Sequence, residues 1–356
     1  MKPPQFDRRI DAEGRFPMIL KSMTAAAALA SAWLVASAAP AAGPAYTVTG
    51  SIAGPDGGWD YGTFDPDLRR FYVTHAGAVF AVDVDTGKVT PKLGDAPGSH
   101  KVVPLDGGRT LAVTVGADNT LRFLDAQTGA TQGSVATGQG PDSATFDPAS
   151  SLVIVAAHRG GEVDLIDPKA KTSAGTIAVG GALEELALDG RGDLFVNVED
   201  KSELVRIDLK SKTITGRLKL EGCDGPTGLV FAPHAHALIA ACDGKAAVVD
   251  AQTFKLETLL TIGKGPDAAL YDPQRKLVLI PCGGSGEIAI ISAAAPGKVA
   301  VLGMAPTERG ARTGALDPKT GKLYLPAARF QPPAPGERRG KMEPGSFHIV
   351  VVSPAS

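Results

Sequence analysis

Apolar residues recur along this chain in short runs, each bounded by turn residues. In one stretch, Ser143 to Phe146 gives way to the turn Asp147-Pro148-Ala149-Ser150. Leu152 to Ala156 follows, then a loop at His158-Arg159-Gly160-Gly161. Glu162 to Ile166, a turn over Asp167 to Lys171, and Gly175 to Val179 complete the set. These runs predict four strands, A to D. The turns have a mechanism: Pro presets φ, Asp bonds its own backbone, and Gly takes positive φ. No amphipathic helical period runs beyond residue 45, so no long helix is predicted.

The set repeats. An apolar residue followed by Asp-Pro or a similar turn stands at Phe64-Asp65-Pro66, Phe146-Asp147-Pro148, Tyr271-Asp272-Pro273 and Leu316-Asp317-Pro318. Weaker copies are Leu188-Asp189-Gly190 and Phe231-Ala232-Pro233, and a seventh at Pro104 to Gly107 aligns through its flanks. The anchors at 64, 104, 146, 188, 231, 271 and 316 are 40 to 45 residues apart. Four strands per such period predict an all-β, seven-bladed β-propeller. The last repeat ends with Phe347 to Val352 and lacks an outer strand, whereas Tyr46–Ala53 (YTVTGSIA) resembles the outer strand Thr131–Ala136 (TQGSVA). The N-terminal strand is therefore expected to complete the last blade and remove an exposed edge.

Residues 25–39 are Ala-rich and uncharged, follow Lys21, and lead into two A-x-A patterns, Ala36-Ser37-Ala38 and Ala39-Pro40-Ala41. This reads as a secretory signal peptide, with Met18 or Met23 as alternative starts. The competing reading is an uncleaved anchor, but the stretch is short and Ala-rich for a membrane span of about 20 residues. The chain thus divides into a signal peptide and leader over 1–42 and one propeller domain over 43–356. The mature chain is expected to be periplasmic or secreted, monomeric, and without a membrane span. Its 44% hydrophobic content supports one sizeable core, and 43 Gly with 27 Pro suit many tight turns. Without the first 38 residues the chain carries 31 basic and 35 acidic groups, a formal charge of −4. A whole-surface basic field for nucleic acid or anionic lipid is absent.

Several phrases carry a family resemblance: Phe71-Tyr72-Val73-Thr74, Gly140-Pro141-Asp142, Gly265-Pro266-Asp267-Ala268 and Arg309-Gly310-Ala311-Arg312-Thr313. With Leu316-Asp317-Pro318 they resemble the YVTN-type, YncE-like propellers of exported bacterial proteins, over about residues 46–352. The resemblance implies a periplasmic or surface binding protein without established catalysis, and a single-stranded DNA interaction has been proposed for the family. A weaker similarity is to six-bladed, metal-using sugar-lactone lactonases, against which seven repeats count. Fold analogy alone assigns no function.

In a propeller, D-to-A and B-to-C loops share one face. Four residues before the anchors, at the mouth of strand A, stand Asp60, His100, Asp142, Glu184, Thr227, Asp267 and Arg312. Beyond strand B on that face come His75, His158, Glu199, Asp243 and Arg329. This ring of carboxylates and imidazoles is a candidate ligand mouth; no cofactor is required, and a divalent metal is the one its chemistry allows. The competing reading is that each Asp caps a turn and each loop His is simply exposed. The Pro-rich, Arg-rich stretch 329–346 interrupts the last blade between strands B and C, is not expected to pack as strands, and reads as a lid, a partner-docking arm or a solvated loop. There is no CxxC, CxxCH, Walker loop or nucleophile elbow.

Cys223 precedes strand A of the fifth repeat and Cys242 ends its strand B, so a Cys223–Cys242 disulfide is expected in an exported protein, leaving Cys282 free. Cys242–Cys282 pairing and three free thiols are the alternatives. The sequence thus points to a binding or scaffold propeller for a small ligand or protein partner. Its rivals are a metal-dependent lactonase- or esterase-like hydrolase and a single-stranded nucleic-acid binder. Net negative charge and few aromatics oppose nucleic acid. No residue is singled out as catalytic.

Overall fold

The computed structural model describes residues 45–333 and 340–355. The signal peptide and leader expected over 1–42 lie outside the described residues, as do Glu337, Arg338 and Arg339 of the Pro-rich stretch. Among the described residues, twenty-eight strands form seven four-stranded antiparallel sheets, and the one helical element is a single 3-10 turn at Glu199–Lys201. No helix among the described residues is long and apolar enough to cross a membrane.

Blade 3 shows how the sequence makes a blade. Its strands are Pro141–Asp147, Leu152–Ala157, Glu162–Asp167 and Thr172–Ala178, hydrogen-bonded in chain order. Strand B is almost continuously apolar because both of its faces are covered by neighbouring blades. Strand D alternates, with Ile177 buried between exposed neighbours, because only one of its faces meets protein. The Asp-Pro turns work as side-chain caps: the Asp147 carboxylate accepts the backbone N–H groups of Ala149 and Ser150, and Asp65 does the same for Asp67 and Leu68. In the C-to-D turn of blade 2, Asp125 accepts from Gln127 and Thr128, and Gly129 takes φ 75°, where a side chain would run into the Gly94 backbone.

The core lies between blades rather than within them. Ile154, Val163 and Leu165 of blade 3 pack on Leu194, Val196 and Val205 of blade 4, and comparable clusters join each neighbouring pair around the ring. Closure follows the expected route. Blade 7 consists of Ala315–Leu316, Leu323–Ala327, His348–Pro354 and, as its outer strand, Tyr46–Ala53. Register runs from Tyr46 opposite Pro354 to Ala53 opposite His348. Tyr46 is buried beside Leu279 of blade 6 and Leu325 of blade 7, so the closing strand also seals an inter-blade core.

The Pro-rich stretch departs from expectation at its base. Phe330 and Met342 form an antiparallel bridge, Gln331 N–H donates to Lys341 O, and Glu343 N–H donates to Arg329 O. The base therefore pairs as a short ladder, because Phe330 and Met342 pack on the apolar cluster between blades 7 and 1 and bring the two arms together.

Candidate functional site

The innermost strands of blades 1 to 4 share one irregularity. Their ladders to strand B slip by one residue between Trp59 and Gly62, Ser99 and Val102, Pro141 and Ala144, and Leu183 and Leu186. Two residues then oppose one, a β-bulge. The bulged pairs are Asp60-Tyr61, His100-Lys101, Asp142-Ser143 and Glu184-Glu185. A bulge leaves backbone groups without ladder partners, and polar side chains capture them, from strand B and, at Thr313, from just before strand A of blade 7. Thr74 Oγ1 donates to the His100 carbonyl at 3.0 Å. Thr114 Oγ1 accepts from Lys101 N–H at 2.9 Å and donates to the Asp142 carbonyl at 3.0 Å. Asn197 donates to the Thr227 carbonyl at 2.9 Å, and Thr313 to the Asp60 carbonyl at 2.9 Å. Apart from the Lys101–Thr114 bond, which lies within blade 2, each bond runs from one blade to the next, so the ring itself helps to hold these positions.

The first residue of each bulge faces a cavity of about 410 Å³ at the channel mouth. Asp60, His100, Asp142 and Glu184 line it from blades 1 to 4, joined by His158, Glu199, Thr227, Asp267 and Arg312. Tyr61, Gly140 and Arg159 line it as well; the sequence reading did not single them out for the site, and their only signal was adjacency to residues that it did. His100 Nδ1 lies 2.6 Å from Asp60 Oδ2 and 3.0 Å from Asp142 Oδ1. His158 Nδ1 lies 3.0 Å from Glu184 Oε1 and 3.1 Å from the Leu183 carbonyl. Every neighbour of either Nδ1 is an acceptor, so both carry a proton there. Tyr61 donates its hydroxyl to Glu184 Oε2 at 3.3 Å, and Arg312 Nε lies 2.9 Å from Asp267 Oδ2.

These contacts set the protonation states. The bonds to Asp142 and then Asp60 raise His100 to about 10, and the bond to Glu184 raises His158 to about 9. Burial pushes Glu184 up to about 7, against the pull of His158. In that pair the proton sits on the imidazole, which has two acceptors and no donor beside it. Burial likewise lifts Asp267 to about 7, against the opposing Arg312. Two donor sets emerge, Asp60–His100–Asp142 and Asp142–His158–Glu184, with the ligand atoms of each within 4.8 Å of one another. They share Asp142.

Three residues expected from the sequence, His75, Arg329 and Asp243, do not reach the cavity. His75 is 3% exposed and packs, tilted, on Phe347 at 4.3 Å between ring centroids, with Phe80 touching both rings. It is the last residue of strand B and pairs with Trp59, the register position held by Ala157 in blade 3, whereas His158 lies one residue beyond. One step along a strand reverses the face, so His75 points into the inter-blade core. Arg329 turns outward to Glu343 at 2.9 Å with its side chain 65% exposed. Asp243 accepts the Gly265 N–H and caps a loop. In blade 5, Cys223 and Cys242 are joined with their Cα atoms 5.5 Å apart, and Cys282 is buried and free.

No family model and no curated protein matches the chain. Among solved structures, it is similar to hydrazine synthase of Kuenenia stuttgartiensis, with a TM-score of 0.68 and 15% identity over 78% of this chain and 95% of that one. It is also similar to a chain of the mitotic checkpoint complex, with a TM-score of 0.68 and 14% identity over 94% of this chain and 99% of that one. At such identities the likeness shows the propeller fold alone.

Proposed function

We propose that this chain is an exported, YVTN- or YncE-like binding propeller whose mouth ring takes a small ligand, with a divalent cation as the class its donors suit best. The carrying observation is the pair of imidazole–carboxylate sets meeting at Asp142. Mixed nitrogen and oxygen donors suit zinc, manganese, iron or nickel better than calcium or magnesium. Because Asp142 belongs to both sets, it is the position on which cation binding rests. Titration calorimetry of chelator-treated protein with Zn2+ and with Mn2+ tests this. Saturable binding supports the reading, and no heat with either ion overturns it.

Export is supported by the Ala-rich segment and its A-x-A patterns. N-terminal sequencing of protein recovered from outside the cytoplasm is expected to start near residues 39–45, and an intact N-terminus would refute it. A hydrolase reading is favoured by one observation: Glu184, raised to about 7, lies in the range of a general base working at neutral pH. A panel of lactones and aryl esters, assayed with Zn2+ and Mn2+, separates the two; turnover that vanishes in Glu184→Gln would make the protein an enzyme. Single-stranded nucleic acid suits the mouth poorly. Five carboxylates face Arg159 and Arg312 there, and its one aromatic, Tyr61, is 3% exposed and offers no stacking platform.

A further inference from the structure

The channel holds a second cavity, also about 410 Å³, that opens on the opposite face between the A-to-B turns, with Pro66, Pro104 and Pro318 in its lining. Tyr61 lines both cavities and forms the wall between them. The second residues of the bulges supply its polar end. Lys101 Nζ lies 3.1 Å from Glu185 Oε1 and 4.5 Å from the centre of the Tyr61 ring. Ser143 donates to the same Glu185 oxygen at 3.2 Å. Among the described residues, Glu185 Oε2 has no hydrogen-bond partner, and Lys101 spends one of its three donors on Glu185. The walls are apolar and include Phe64, Val103, Phe146, Leu186 and Leu270.

We infer that this cavity is a second binding site, separate from the mouth ring, for a neutral molecule that joins an apolar body to an amide group. Three features set that class. Lys101 and Glu185 already neutralise each other, so a ligand with net charge would bury an uncompensated ion. An amide carbonyl accepts a free N–H of Lys101 while its own N–H donates to Glu185 Oε2, which uses both vacant functions at once. The apolar walls take the hydrocarbon body, and the volume lies within the roughly 300–1,000 Å³ of small-molecule sites. The inference does not depend on what the mouth ring binds.

The test uses 3-phenylpropanamide as the probe, with 3-phenylpropanoate and 3-phenylpropylammonium as charged controls of the same shape, followed by ligand-observed NMR and calorimetry. The amide is expected to bind at least about fivefold more tightly than either control, as one hydrogen bond's difference allows. Lys101→Met should weaken the amide by a similar factor. Thr145→Phe places a ring in the cavity from a half-buried wall position and should abolish binding. Thermal melting of each variant checks that it folds, and Thr145→Phe carries the test alone if Lys101→Met does not. Equal or tighter binding of a charged control, no binding of the amide, or binding unchanged by Thr145→Phe would overturn the inference.

Discussion

Blades 1 to 4 and blades 5 to 7 follow one repeat but have divided the labour. In the first arc, strand A is long and bulged, running over Trp59–Asp65, Ser99–Leu105, Pro141–Asp147 and Leu183–Leu188. Each bulge sets two consecutive side chains beside one another; of the eight residues all but the buried Ser143 line one of the two cavities, and all eight carry a polar or ionisable group. In the second arc, strand A shrinks to Leu229–Ala232, Leu270–Asp272 and Ala315–Leu316, and the matching pairs are Thr227-Gly228, Asp267-Ala268 and Arg312-Thr313. Its two ionisable groups, Asp267 and Arg312, pair with each other. This arc instead holds the devices that close and tie the ring: the N-terminal strand in blade 7 and the Cys223–Cys242 link in blade 5. The lesson is that a bulge, not residue type alone, turns a repeat position into a site. It projects neighbouring side chains together, and the buried Thr and Asn of strand B make it tolerable.

The division can be broken at several strengths. The largest effect is expected from deleting residues 46–53, which bares the edge of His348–Pro354 and uncovers the inter-blade core that Tyr46 seals. Calorimetric scanning should show the melting temperature falling by roughly 10 °C or more, or aggregation; an unchanged melt would deny the second arc its closing role. Next is Cys223→Ser. A link across a sequence separation of 19 closes a loop worth roughly 3 kcal/mol on chain-entropy grounds. Thiol titration of the denatured, unreduced wild type should find one free group, and three would refute the pairing.

A direct contrast between the arcs comes from Asp142→Asn and Asp267→Asn. The first removes the carboxylate shared by both donor sets and should weaken Zn2+ or Mn2+ binding by at least about tenfold, a difference of roughly 1.4 kcal/mol. The second removes a carboxylate already paired with Arg312 and should change affinity by less than about threefold. Equal losses would erase the distinction. The smallest effect is the pH dependence of stability. His100, His158, Glu184 and Asp267 all hold their protons more tightly in the fold than in the unfolded chain. The folded state therefore binds more protons, and stability falls as pH rises. The carboxyls act from about 4 to about 7; the contribution of His100 is fully present below 6.5 and lost as pH rises through about 10. Melting temperature should decline from pH 6 to pH 10, and His100→Gln should flatten the upper part of that decline. A wild-type melting temperature that rises over this range would contradict the assignment.

The repeat and its consequences were written in local chemistry. Asp-Pro and Asp-x-x-Thr-Gly turns, apolar runs too short for helices and a period near 42 residues demand four-stranded blades, and a last repeat short of one strand demands closure by Tyr46–Ala53. The offset from the Asp-Pro anchors also brought Asp60, His100, Asp142, Glu184, Asp267 and Arg312 to one mouth, because position within a blade is set by local spacing. What local spacing does not contain is the face each side chain takes. His75 and His158 differ by one residue in offset, yet one is buried against Phe347 and the other lines the cavity, because His75 is the last paired residue of its strand B, the position of Ala157 in blade 3, and His158 lies just beyond. The bulges escaped the sequence for the same reason: an extra residue is defined only against a partner strand. The partition of the channel by Tyr61, the sharing of Asp142 and the Lys101–Glu185 pair each join residues of different blades, and only the closed ring brings them within bonding distance.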